Sequence, residues 1–110
     1  MRQYTIDELR PGEYDILKTC LDDRYLHASI GDIYWIPVPE ALLSERQARH
    51  TDCAPLVVAV HLEAERLSCE FLLRTRSAMR CDCMAYANTA QRNWIIDTID
   101  TLFSDCGIQT

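Results

Sequence analysis

Hydrophobic and polar positions alternate most clearly between Ala54 and Tyr86, where two β-rich runs flank Ala64-Glu65. With those two residues as the turn, the opposite pairs are Leu62–Leu67, Val60–Cys69, Val58–Phe71 and Leu56–Leu73. Residues opposite one another on paired strands share a face, so all four pairs make one apolar face. His61–Ser68 and Glu63–Arg66 then fall on the other face. A one-residue slip would scatter the apolar set, so the pattern predicts the register as well as the hairpin. A third strand is expected from about Met79 to Tyr86, with Met79, Cys81, Cys83 and Ala85 continuing the core face.

Helical periodicity appears on both sides. Thr5-Ile6-Asp7-Glu8 reads as a capping box, with Tyr4 and Leu9 at staple positions, so a short N-terminal helix is expected before Pro11-Gly12. Ile16, Leu17, Cys20 and Leu21 then predict a longer helix over Glu13 to about Asp23. Asp32 to Val38 is β-rich and meets Pro37, which cannot donate to a ladder, so that strand should lie at an edge or finish there. Ser44-Glu45-Arg46-Gln47 offers a second capping box for one or two turns within 40–50. The last helix should start at Asn88 or Thr89 and run to about Asp105, with Gly107 as its stop. Its stripe is Ile95, Ile96, Ile99, Leu102, Phe103 and Cys106.

The expected class is therefore α+β, in the order α-β-α-β-β-β-α. It is an antiparallel meander of three strands plus one edge strand, its core face covered by helices. With 110 residues, no repeat and no composition shift, residues 1–110 are read as one domain.

Charge narrows the functional classes. Seventeen acidic residues against 11 basic ones leave −6, which disfavours nonspecific nucleic-acid and anionic-membrane binding. No apolar run reaches the length of a membrane span, and the N-terminus carries no export-signal pattern. The sequence-based expectation is a cytoplasmic protein whose six cysteines are reduced.

Those cysteines supply the first candidate chemistry. Alternation places Cys69, Cys81 and Cys83 on one face, and His50 and Cys53 are spaced H-x-x-C just before the central strand. Thiolates with an imidazole could bind zinc or Cu(I). Buried cysteine is also an ordinary small core residue, so the primary expectation is no cofactor, with Zn as the alternative. His50 and Cys53 could instead form a base and nucleophile pair, but no local signature of an enzyme accompanies them. His27, His50 and His61 have no recognisable carboxylate partners in the sequence.

The second candidate is a surface. Arg74, Arg76 and Arg80 form the only basic cluster, suited to an acidic peptide or small anion. Val57, Ala59, Leu72 and Met84 make the outer sheet face too apolar for water alone, with Tyr86 beside them. Trp94 lies about 130° from the centre of its helix stripe at roughly 100° per residue. Tyr34 and Trp35 point to opposite faces, so one of them leaves the core. Either the N-terminal helices or a second chain should cover this face. The leading functional expectation is a non-enzymatic module that binds a protein partner, most simply another copy of itself. A cysteine-based metal or thiol site is the alternative, and a small enzyme of unknown class comes third.

Overall fold

A computed structural model describes residues 2–28, 31–76 and 83–109. The chain is α+β. Among the described residues seven antiparallel strands are β1 (Gln3–Ile6), β2 (Leu26–His27), β3 (Ile33–Pro37), β4 (Leu56–Leu62), β5 (Leu67–Glu70), β6 (Leu72–Thr75) and β7 (Ala85–Tyr86). The helices are α1 (Glu13–Arg24), α2 (Glu45–Arg49) and α3 (Thr89–Asp105), with 3-10 turns at Glu40–Leu42 and Thr51–Cys53. The main sheet order is β1-β5-β4-β3-β2, and β6 pairs with both β4 and β7.

The hairpin register holds at its turn: Leu62 opposes Leu67 and Val60 opposes Cys69. Glu63 N–H donates to the Arg66 carbonyl, and the two side chains form an ion pair. Further along, the expected pairs Val58–Phe71 and Leu56–Leu73 are replaced, because Leu56 opposes Thr75 and Val57 opposes Arg74. Two extra residues lie on the second strand. Phe71 leaves β4, donating its N–H to the Arg2 carbonyl and accepting at its own carbonyl from Ala87. A two-residue slip preserves strand parity, so Leu73 stays buried and Thr75 joins the same face.

The expected N-terminal helix is a strand. Gln3–Ile6 pairs with β5, Thr5 and Ser68 share a hydroxyl–hydroxyl hydrogen bond, and the Tyr4 hydroxyl donates to Asp100 of α3. Capping-box letters cannot compete with an open sheet edge that satisfies four residues at once. The β-rich run at 33–37 does finish at Pro37, while β2 covers its outer side. Of the expected third strand only Ala85–Tyr86 is seen, and Ala85 is exposed rather than inward; Met79, Arg80, Cys81 and Asp82 lie outside the described residues.

Among the described residues the helices cover one face of the sheet. Leu17 and Leu21 of α1 and Ile95, Ile99, Leu102 and Phe103 of α3 pack with Tyr34, Val58, Val60, Leu62 and Leu73 in one core. Ile16, expected in the α1 stripe, is exposed. The α3 stop is a Schellman motif: Gly107 at φ 78° allows Ile108 N–H to reach the Phe103 carbonyl. Cys20 and Cys106 are joined as a disulfide between α1 and the end of α3, and Arg24–Asp105 bridges the same junction. This corrects the expectation of six reduced thiols. Each cysteine sits on its own helix stripe, and only the packing of the two helices brings them together.

On the opposite face Val57 and Ala59 are buried without the N-terminal helices covering them, since the first is the strand β1 and α1 packs on the core side. The sheet's own long side chains do so: Trp35 stands across from Ala59, and Arg76 lies over the Trp35 ring. Trp94 and Met84, expected on an open surface, are instead partly buried against the helix-side core.

Candidate metal centre

His50 caps the C-terminus of α2 and opens the 3-10 turn Thr51–Cys53. Cys53 N–H donates to the His50 carbonyl at 3.0 Å, so the two residues are i and i+3 on a 3-10 turn. Side chains at that spacing eclipse on a three-residue turn, which aims the imidazole and thiol to one side. Cys83 arrives from a different part of the chain, immediately before β7. The ligating atoms of His50, Cys53 and Cys83 all lie within 4.8 Å of one another.

Two buried polar side chains hold the backbone of this cluster. Gln47 Nε2 donates to the Cys83 carbonyl at 3.1 Å, and the Thr75 hydroxyl donates to the Cys53 carbonyl at 2.9 Å. Gln47 is itself fixed by the Ser44 capping box, since its Oε1 accepts from Ser44 N–H and its own N–H donates to Ser44 Oγ. Gln91, the matching residue of the Asn88 capping box of α3, donates to Gln47 Oε1 and to the Leu42 carbonyl. The polar positions that looked like local helix starts thus form one buried chain leading to Cys83.

The donor set suits a thiophilic cation. Zinc at about 2.3 Å from sulfur and 2.0–2.1 Å from nitrogen separates tetrahedral ligands by about 3.6–3.8 Å, so closing this group requires a contraction of about an ångström at most. Cys83 is fully buried, Cys53 nearly so and His50 half-buried. Two thiolates in such a place are costly unless a cation offsets their charge. His50 also lines a recess of about 400 Å³ with Glu40, Leu43, Thr51 and Pro55.

Cys69 stands apart from this group. Its side chain is fully buried on β5, its thiol donates weakly to the Glu70 carbonyl, and burial pushes its pKa up to about 12. It is a free thiol in the apolar core and a poor source of thiolate. Cys81 lies outside the described residues. Of the arginines, Arg74 makes two hydrogen bonds to Glu70 and Arg76 lies over Trp35, while Arg80 is outside the described residues. Leu72 and Tyr86 are cross-strand partners, and Arg2 lies over the exposed Tyr86 ring.

Two histidines expected to lack carboxylates have them nearby. His61 lies 3.5 Å from Glu63, and His27 stacks on Tyr34 with its Nε2 3.7 Å from Asp32. Asp32 accepts from the Tyr14 hydroxyl and from Lys18 Nζ, while Tyr34 donates to Asp22 at 2.6 Å. Hydrogen bonding by Tyr14, then by Lys18, lowers the Asp32 pKa. Burial first, and the Asp22 hydrogen bond second, raise Tyr34 to about 12. These groups satisfy one another and tie α1 to β3, so they read as a structural network.

No protein-family model, curated protein or solved structure matches the chain. Among the described residues no helix is long and apolar enough to cross a membrane.

Proposed function

We propose that this protein is a small metal-binding module whose His50, Cys53 and Cys83 hold a zinc ion. The observation that carries the reading is the convergence of one imidazole and two thiol sulfurs within 4.8 Å, from two separate chain segments. Zinc there joins the α2 turn to the segment entering β7, a structural role in which the metal contributes directly to folding. Buried amide and hydroxyl groups on the backbone of both cysteines are the kind of support that fixes ligand geometry. Native mass measurement with and without chelator, on protein purified in zinc, tests it. One zinc per chain is expected, lost in Cys53→Ser and Cys83→Ser and kept in Cys69→Ser. Cobalt substitution should add sulfur-to-metal absorption in the near ultraviolet. Cys81→Ser reports whether the C-x-C neighbour supplies the fourth donor. Absence of stoichiometric metal, or its retention in both Cys53→Ser and Cys83→Ser, overturns the reading.

A second reading, binding of a protein partner by the outer sheet face, is favoured by Leu26, which is 64% exposed beside Trp35. A second copy of the chain is its simplest form. Sedimentation velocity across a wide concentration range tests that form, and a strict monomer overturns it.

A further inference from the structure

Strand β1 ends the sheet order, and its outer edge pairs with no other strand among the described residues. Phe71 N–H donates to the Arg2 carbonyl, in register with Gln3 opposite Glu70 and Tyr4 opposite Cys69. Hydrogen-bonded and unbonded pairs alternate along an antiparallel ladder, so Tyr4 and Ile6 turn their backbone groups to β5. Gln3 and Thr5 therefore turn theirs outward, and both residues are exposed. No proline and no charged residue lies within Gln3–Ile6, although such residues are what commonly closes an edge to further pairing. The same stretch of chain lines a groove of about 460 Å³, built from residues 4–10 together with Glu13, Ile108 and Gln109.

Charge in this groove is one-sided. Asp7, Glu8 and Glu13 line it against Arg10 alone, and Asp7 and Glu8 are exposed and form no ion pair among the described residues. Arg66, close enough to feel the Asp7 charge, is engaged by Glu63 at 2.6 Å. We infer that the β1 edge binds an extended basic segment of a partner protein, running antiparallel to β1. With one of its residues bonded to Thr5, the neighbours on either side fall opposite Tyr4 and Ile6. Those two side chains pack against the helix-side core, so apolar residues match them there. The N-terminal end of the segment then passes Asp7 and Glu8, where Lys or Arg meets the carboxylates. The acidic lining favours such a segment over a second copy of this chain, which carries −6 and brings the same carboxylates to the edge. Edge and groove are made by the same residues, so one segment reaches both. Neither the metal nor the outer sheet face takes part.

The test uses the whole chain purified in zinc and three probes. They are acetyl-Lys-Lys-Val-Thr-Val-Thr-amide, the same peptide with Gln for both Lys, and the Lys peptide N-methylated at its first threonine. Calorimetry and amide shifts in β1 report occupancy. Saturable binding of the Lys peptide is expected, about fivefold tighter than the Gln peptide and weakened by salt. N-methylation removes a main-chain donor to β1 and should weaken binding about tenfold. Thr5→Pro removes an outward N–H that β5 does not use, so the fold should persist by circular dichroism while binding is lost. Asp7→Asn combined with Glu8→Gln, at exposed positions, should abolish the preference for Lys over Gln. No saturable binding, equal binding of the Lys and Gln peptides, or equal binding of the N-methylated peptide overturns the inference. Self-association in sedimentation that Thr5→Pro abolishes, without peptide binding, overturns it too and gives the edge to a second copy.

Discussion

Gln47 and Gln91 meet in the core, Nε2 of Gln91 donating to Oε1 of Gln47 at 2.9 Å. Each is the third residue of its own helix and closes its own capping box, so one bond couples the starts of α2 and α3. Because Gln47 also donates to the Cys83 carbonyl, helix capping is mechanically linked to the backbone of the proposed metal site.

Removing Gln91 should therefore be felt well beyond α3. Gln91→Ala leaves the Leu42 carbonyl and Gln47 Oε1 each short of a buried donor, and Asn88 N–H short of an acceptor. A loss of about 2–3 kcal/mol is expected, read from urea unfolding of the zinc-free protein. A loss under about 0.5 kcal/mol would contradict the coupling.

Gln47→Ala tests the link to the metal. Loss of the amide releases the Cys83 carbonyl, and zinc affinity in competition with a chromophoric chelator should fall about 10–100-fold. Gln91→Ala, one step further away, should lower affinity less. Unchanged affinity in Gln47→Ala would make the amide a core hydrogen bond and nothing more.

The disulfide makes its own prediction. In oxidised, denatured, metal-free protein Cys53, Cys69 and Cys83 should react with a thiol reagent, while Cys20 and Cys106 should not. Cys20→Ser should lower stability by about 2–4 kcal/mol, since the bond closes a long loop with a sequence separation of 86. Six reactive thiols in protein kept under oxidising conditions would contradict it.

Acid should weaken the junction of α1 and β3. Asp32 is held below its ordinary value in the folded chain by Tyr14 and Lys18. Its contribution is therefore fully present above the unfolded value of about 3.9 and is lost as pH falls through the lower folded value. Between about pH 5 and 2 the urea midpoint should drop less in Asp32→Asn than in the parent. Parallel slopes would remove Asp32 from the acid response.

Much of this architecture is legible in the sequence. The β4–β5 register near the turn follows from the apolar pairs Leu62–Leu67 and Val60–Cys69, since a one-residue slip would turn one strand's apolar set to the other face. The Ser44 and Asn88 caps and the Gly107 stop follow from local backbone chemistry. The turn at Ala64-Glu65 carries no favoured turn pair, yet the flanking strands hold it.

Other features depend on partners far away in the chain. Thr5-x-x-Glu8 resembles a helix start until β5 offers its edge, and no local signal records that edge. The thiols show the division most clearly. Alternation alone groups Cys69 with Cys83, because both occupy core-facing positions of neighbouring runs. Tertiary structure separates them: the chain turns at Phe71, Cys69 remains in the apolar interior, and Gln47 draws the Cys83 backbone to α2. The spacing of His50 and Cys53 is local, but the approach of Cys83 to them follows only from the tertiary structure. By itself the sequence determined the faces, caps and main hairpin, since periodicity and backbone chemistry act over a few residues. Which cysteines meet was decided by long-range contacts, where one bulge and one buried amide outweigh the local pattern.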